Sequence, residues 1–188
     1  MQTKENQENF TIHTLESAPE KSIELLEKSK KTNGYVPNLH GVLAESPELL
    51  EAYQQLHGHF TASSLNKDEL TVVWQTINVA HECHYCVPAH TAIAKAMKVE
   101  DRITEALRNG TELPTKKLET LRSVTLAMVR KRGNLKKENL TEFYSVGYGQ
   151  QQLLEIVLGL AQKTISNYTN HLAHTPMDEA FQKFEWRK

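Results

Sequence analysis

Helix start and stop signals recur along the whole chain, and no run of residues alternates apolar and polar in the manner of a half-buried strand. Ser17-Ala18-Pro19-Glu20 has the form of a capping box, with Ser17 at the N-cap and Glu20 three residues on. The helix it predicts runs over Ile23, Leu25 and Leu26 and closes at Lys30, Lys31 and Asn33-Gly34. Pro37-Asn38 opens a short helix over Leu39, Val42 and Leu43. Ser46-Pro47 then places an N-cap before a proline at the first helical position, ahead of Leu49, Leu50, Tyr53, Leu56 and Phe60 at helical spacing. Asn66-Lys67-Asp68-Glu69 is another capped start. The segment after it, over Leu70, Val72, Val73, Ile77 and Val79, is rich in β-branched residues, but it exceeds ten residues without alternating, which predicts a buried helix rather than a strand. The next helix begins between Cys83 and Tyr85, because Pro88 is tolerated only near the first turn, and it runs through Ala89, His90, Ile93, Ala94 and Met97. Further helices are expected from Glu100 to Asn109, from Pro114 to before Gly133, around Leu140 and Phe143, and from about Gln150 to Leu172.

These signals predict an all-α chain folded as a single domain, which suits 188 residues. Residues 1–16 form a polar N-terminal segment, 17–175 the helical domain with its motif-bearing core at 65–97, and 176–188 a charged, aromatic C-terminal tail expected to pack on the surface or on a partner. The hydrophobic fraction of 39% is modest, so a core shared between copies in a homo-oligomer is expected. With 22 basic and 23 acidic residues the net charge of -1 gives no reason to expect nucleic acid or an anionic membrane as partner. No apolar run approaches the ~20 residues of a membrane span. The polar start MQTKENQENF lacks the apolar stretch of a secretion signal, and a cytoplasmic location is the expectation.

The chain has two cysteines, and both lie in Cys83-His84-Tyr85-Cys86. A bond between residues so close in sequence closes almost no loop and would stabilise little, so the pair points to redox chemistry or metal binding. A thiol reacts as thiolate, and a helix N-terminus helps to lower its pKa from the usual ~8.5. Cys86 and His90 are four residues apart and share a helix face, which lets the imidazole take the thiol proton directly or through a water. If one sulfur is oxidised to a sulfenic acid, the other can condense with it to a disulfide. Two alternatives stand beside this reading. Zinc could be held by Cys83, Cys86 and one or two of His81, His84 and His90, with His171 or His174 joining in space. The cysteines could also be inert buried residues. No metal or other cofactor is expected on the redox reading.

The stretch from Leu65 to Met97, LNKDELTVVWQTINVAHECHYCVPAHTAIAKAM, resembles the core of the carboxymuconolactone decarboxylase and alkylhydroperoxidase AhpD-like family. NGYVPNLHGVLAESPE at 33–48 and ISNYTNHLAHTPMDEAF at 165–181 are similar to segments of the peroxidase-related branch, so the resemblance covers nearly the whole chain. It implies the AhpD-like helical fold, assembly as trimers or hexamers, and a thiol-dependent reduction of hydroperoxides with a thioredoxin-like or lipoyl-type dithiol as reductant. It further implies that Cys86 attacks the peroxide, Cys83 resolves the intermediate as a disulfide, and His90 relays protons. The pattern departs from the family at Thr71, where a relay glutamate is expected twelve residues before the first cysteine, and at Tyr85, where some members carry a histidine. Glu69 lies about 200° from Thr71 around a helix and reads as a capping carboxylate. A thiol–disulfide oxidoreductase or redox sensor without peroxidase activity, or a zinc-binding helical oligomer, is the alternative function.

Overall fold

A computed structural model describes residues 10–187. The described residues form α1 (Glu20–Asn33), α2 (Asn38–Leu43), α3 (Pro47–Thr61), α4 (Lys67–Ala80), α5 (Cys86–Ala96), α6 (Asp101–Asn109), α7 (Lys116–Lys131), α8 (Lys137–Ser145) and α9 (Gln150–Ala173), followed by a 3-10 helix at Glu179–Phe184. There is no strand among them, in keeping with the all-α reading, and none of these helices is long and apolar enough to cross a membrane. The expected N-terminal segment falls outside the described residues as far as residue 9.

One start signal is misplaced. Ser17 does not cap α1, whose N-cap is Pro19 with no side-chain bond. The Ser17 hydroxyl instead accepts the Thr14 N–H at 3.0 Å. Pro19 disfavours helical geometry at the residue before it, so the helix cannot extend back to a Ser17 cap. The Asn66–Glu69 capping box does form: Asn66 accepts the Asp68 and Glu69 N–H groups, and Glu69 accepts the Asn66 N–H.

That cap launches α4 through the centre of the molecule, where it packs against α5, α6, α7 and α9. Residues 69–78 of α4 are all buried, which explains why its sequence shows no polar face. A main apolar core joins α4 to α6, α7 and α8 through Val72, Ile77, Ile103, Leu107, Leu121 and Phe143. A second core holds Leu26, Leu39, Leu43, Leu50 and Tyr53 from α1–α3 together with Cys83, Tyr85, Cys86 and Ala89. The cysteine pair thus lies inside the smaller core.

The long helix α9 buries Ile156 near its start but leaves an apolar stripe outside. Leu154, Val157, Tyr168 and Leu172 are exposed, and at 100° per residue they fall within about 60° of one another. Its buried side carries Gly159, Gln162, Lys163, Ser166, Asn167 and Asn170. Gly159 permits a close approach, because a β-carbon there would stand 2.7 Å from Cε2 of Phe60 on α3. The C-terminal segment packs along α5. Arg108 donates to the Phe184 and Glu185 carbonyls, each at 3.0 Å, and the Trp186 indole N–H donates to the Arg108 carbonyl at 3.0 Å.

Candidate active site

The turn between α4 and α5 presents the cysteines. Glu82 adopts a left-handed conformation, φ 54°. The Glu82 N–H returns to the Val79 carbonyl at 3.1 Å and the Cys83 N–H to the Asn78 carbonyl at 3.0 Å, the bonding pattern of a Schellman motif. This turns the chain sharply, so that α5 starts at Cys86 beside the end of α4. A buried amide network fixes the arrangement. Asn78 donates to the Cys86 carbonyl at 3.3 Å and to Gln75 at 3.0 Å, Gln75 donates to the Val87 carbonyl at 3.1 Å, and Asn167 on α9 donates to Asn78 at 3.0 Å.

Cys83 is 0% exposed and Cys86 2%, and both are free thiols. The Cys86 N–H points at the Cys83 sulfur at 3.3 Å, and Asn170 Nδ2 donates to the Cys86 sulfur at 3.2 Å. Burial raises the Cys86 pKa, but the Cys83 thiol, the Lys163 charge and the Asn170 and Asn167 amides outweigh it, and the thiol is held below its ordinary range. The hydrogen bond to Cys86 and burial together push Cys83 the other way. The pair is therefore asymmetric, with thiolate character on Cys86.

His90 lies one turn further along α5, buried, with its ring centroid 4.8 Å from that of Trp74. Its Nε2 is 2.9 Å from Lys163 Nζ. An ammonium has only donors, so Nε2 accepts and the ring hydrogen sits on Nδ1. Burial, the Lys163 charge and His57 hold the His90 pKa well below the usual imidazole value, so the ring is neutral. His90 Nδ1 has no hydrogen-bond partner among the described residues. The expected hydrogen-bond neighbour of His90 was Cys86; the one found is Lys163.

A cavity of about 310 Å³ opens onto these groups, walled by Leu39, Tyr53, Ala89, Ile93 and Phe181 around Cys86. Lys163, His90, His40 and His57 also line it, and among the described residues no carboxylate does. Burial first, then the neighbouring His57 imidazole for His40 and the Lys163 charge for His57, brings both imidazoles down to about 4, so they are uncharged at neutral pH. Tyr85 forms part of the wall and donates its hydroxyl to Asp178, which also accepts the Asn38 N–H at 3.0 Å.

Several residues outside the cysteine motif belong here. His40 and His57 line the cavity rather than outer helix contacts, and Trp74, 1% exposed, stacks on His57 with centroids 5.6 Å apart. Lys163, Asn167 and Asn170 lie far from the motif in sequence, at a spacing that marks one face of a helix. Thr71 is buried and donates its hydroxyl to the Lys67 carbonyl at 2.8 Å, inside its own helix. His171 is exposed, and His84 is exposed with its ring against Trp186. Among the described residues no group of three or more His, Cys, Asp or Glu side chains is arranged to hold a metal ion.

No protein-family model and no curated protein sequence matches the chain. Solved structures do. An uncharacterised peroxidase-related protein with an alkylhydroperoxidase AhpD core, from Ralstonia eutropha JMP134, is 17% identical with a TM-score of 0.80, over 92% of this chain and 93% of that one. An uncharacterised peroxidase-related protein from Silicibacter sp. TM1040 is 17% identical with a TM-score of 0.73, over 96% and 97%. The debrominase Bmp8, as a variant in complex with 2,3,4-tribromopyrrole, is 17% identical with a TM-score of 0.77, over 93% and 94%. The chain has the AhpD-like helical fold along nearly its entire length.

Proposed function

We propose that this chain is a thiol-dependent peroxidase that reduces hydroperoxides through a disulfide cycle of Cys86 and Cys83. The observation that carries the reading is the placement of Cys86, in the cavity wall, hydrogen-bonded by Asn170 and facing Lys163, with the Cys83 sulfur against its backbone N–H. The Cys86 thiolate attacks the terminal peroxide oxygen, the O–O bond breaks, and the alkoxide leaves. The Lys163–His90 pair holds the proton that the alkoxide takes up as it becomes an alcohol. Cys83 then attacks the Cys86 sulfenic acid, expelling water and closing the disulfide, which an external thiol reopens. A cationic lysine from α9 thus serves where the resembled family uses a carboxylate at the position of Thr71. A second reading takes support from the aromatic lining of Tyr53, His57 and Phe181 and from the debrominase among the structural relatives: the same thiol pair would reduce a halogenated aromatic ring, the Cys86 thiolate taking the halogen as a sulfenyl halide while the ring carbon takes a proton, and Cys83 then expelling halide as the disulfide closes. We further infer a homo-oligomer joined through the exposed apolar stripe of α9, acting in the cytoplasm.

Stopped-flow oxidation by an organic hydroperoxide, with sulfenic-acid trapping, tests the first reading. Sulfenic acid should accumulate on Cys86 in Cys83→Ser, and Cys86→Ser should be inert. Trapping on Cys83 would reverse the roles. Failure of hydroperoxide to oxidise any form, combined with bromide release from a bromopyrrole, would favour the second reading.

A further inference from the structure

The reductive half of the cycle needs a partner that reaches the disulfide. Cys83 is 0% exposed and contributes nothing to the cavity wall; Cys86, 2% exposed, lines it. A reductant must therefore come down the cavity and attack the Cys86 sulfur. The cysteine of a thioredoxin-like protein lies on that protein's surface and does not reach down a cavity of about 310 Å³, whereas a small thiol does.

The cavity also selects charge. Lys163 is 1% exposed, and its polar partner among the described residues is the uncharged His90. In the reduced state its charge acts on the Cys86 sulfur, and disulfide formation takes that negative partner away. Lys28, exposed, also lines the cavity, and the lining includes no carboxylate. Two polar atoms await a ligand. His90 Nδ1, a donor once Nε2 accepts from Lys163, and Gln54 Oε1, an acceptor, are buried without a hydrogen-bond partner, and both residues line the cavity.

We propose that the cavity is the binding site of the reductant, and that this reductant is a small thiol carrying a negative charge, which attacks Cys86 beside Lys163. The inference rests on the disulfide cycle above and deepens it. The chemistry balances in two steps. Lys163 regains from water the proton it gave to the alkoxide and is a cation when the reductant arrives. The first thiol loses its proton to water, and its thiolate attacks Cys86, forming a mixed disulfide and releasing the Cys83 thiolate, which takes up a proton from water. A second thiol likewise loses its proton to water, and its thiolate attacks the bound reductant's sulfur. The oxidised reductant leaves as its own disulfide, and the Cys86 thiolate is restored beside a protonated lysine.

The test starts from protein oxidised with diamide, so it does not depend on hydroperoxide activity. Reduction is followed with 3-mercaptopropionate, 2-mercaptoethanol and cysteamine, each rate taken per thiolate, and with a reduced thioredoxin-type protein. We expect the anionic thiol to exceed the cationic one by at least tenfold and the protein dithiol to be slowest. Lys28→Glu, at an exposed position, should shrink the preference severalfold without unfolding the chain. Lys163→Met should abolish it, and with Cys83→Ser the adduct formed by an activated disulfide of mercaptopropionate should map to Cys86. Equal rates for the three small thiols, faster reduction by the protein, or a mixed disulfide on Cys83 in the otherwise wild-type chain would overturn the proposal. If diamide forms no disulfide, the disulfide cycle falls with it; if the disulfide forms but is reduced without charge preference, only the anionic site falls.

Discussion

The approach of α9 to α3 and α4 at Gly159 sets the position from which Lys163, Asn167 and Asn170 reach Cys86, so a methyl group at 159 is a direct probe of the site's scaffold. The added β-carbon would stand 2.7 and 2.9 Å from two ring carbons of Phe60 and 3.1 Å from a methyl of Val73. Phe60 is 0% exposed, and its ring lies edge-on to Trp74 with centroids 5.1 Å apart, so it has no room to turn away. Replacing a helical glycine by alanine gains about 1 kcal/mol of helix propensity, while overpacking a filled core costs about 1–3 kcal/mol. With Phe60 hemmed in by Trp74 the upper part of that range applies, and Gly159→Ala should be less stable by about 1–2 kcal/mol. In a domain of this size that lowers Tm by about 2–8 °C. Thermal unfolding by circular dichroism at fixed protein concentration measures it, because self-association would itself move Tm. Alkylation of Cys86 at neutral pH is the second readout and should slow as α9 is pushed outward. A Tm equal to or above that of the parent chain would refute the reasoning, showing that Phe60 and Val73 yield freely and that Gly159 does not set the helix spacing.

The depressed pKa of Cys86 means that its thiolate persists below the usual thiol range. Alkylation should therefore stay fast near neutral pH and be lost only as the pH falls through the lowered value, and Lys163→Met should move that fall to higher pH. Glu69 accepts the Asn66 N–H and the Tyr148 hydroxyl, each at 2.9 Å, and pairs with Lys117 at 3.0 Å. Glu69→Gln should cost about 1–2 kcal/mol in urea unfolding yet leave Cys86 alkylation unchanged, as a cap does and a relay carboxylate does not. Leu154 and Leu172 are 70% and 69% exposed on the outer stripe of α9. The double change to Glu should convert an oligomer to monomer in size-exclusion chromatography with light scattering; a parent chain that already elutes as a monomer would dispose of the interface.

The helices are legible in the sequence because their punctuation is local. Asn66 and Glu69, Pro47 and Gly110 mark boundaries through interactions within a few residues, and the structure keeps them. Ser17 misleads for the same local reason, since Pro19 overrides its capping pattern. The cysteines are legible as a pair because their spacing is short. What escapes is everything that meets them from a distance. Lys163 and Asn170 are polar residues on a long helix, and polar residues on a helix ordinarily face water. The clue lay in the opposite face: Leu154, Val157 and Leu172 share it, so that burying the apolar side of α9 within one chain would have turned the lysine outward. Composition alone does not decide which side of a helix the fold buries.

The hydrogen bond from Asn170 to the Cys86 sulfur spans 84 positions of chain. In the unfolded chain Cys86 is an ordinary thiol, exposed but sluggish at neutral pH, and an intermediate without a docked α9 lacks what Lys163, Asn167 and Asn170 add. Docking hides the sulfur and raises its thiolate fraction at once. Accessibility and reactivity should thus run in opposite directions along a denaturant titration, total thiol titre rising while the intrinsic rate at mildly acidic pH falls. A reagent small enough for the cavity would then report the native population directly, and newly made chains would carry little oxidisable thiolate until their last long helix is in place.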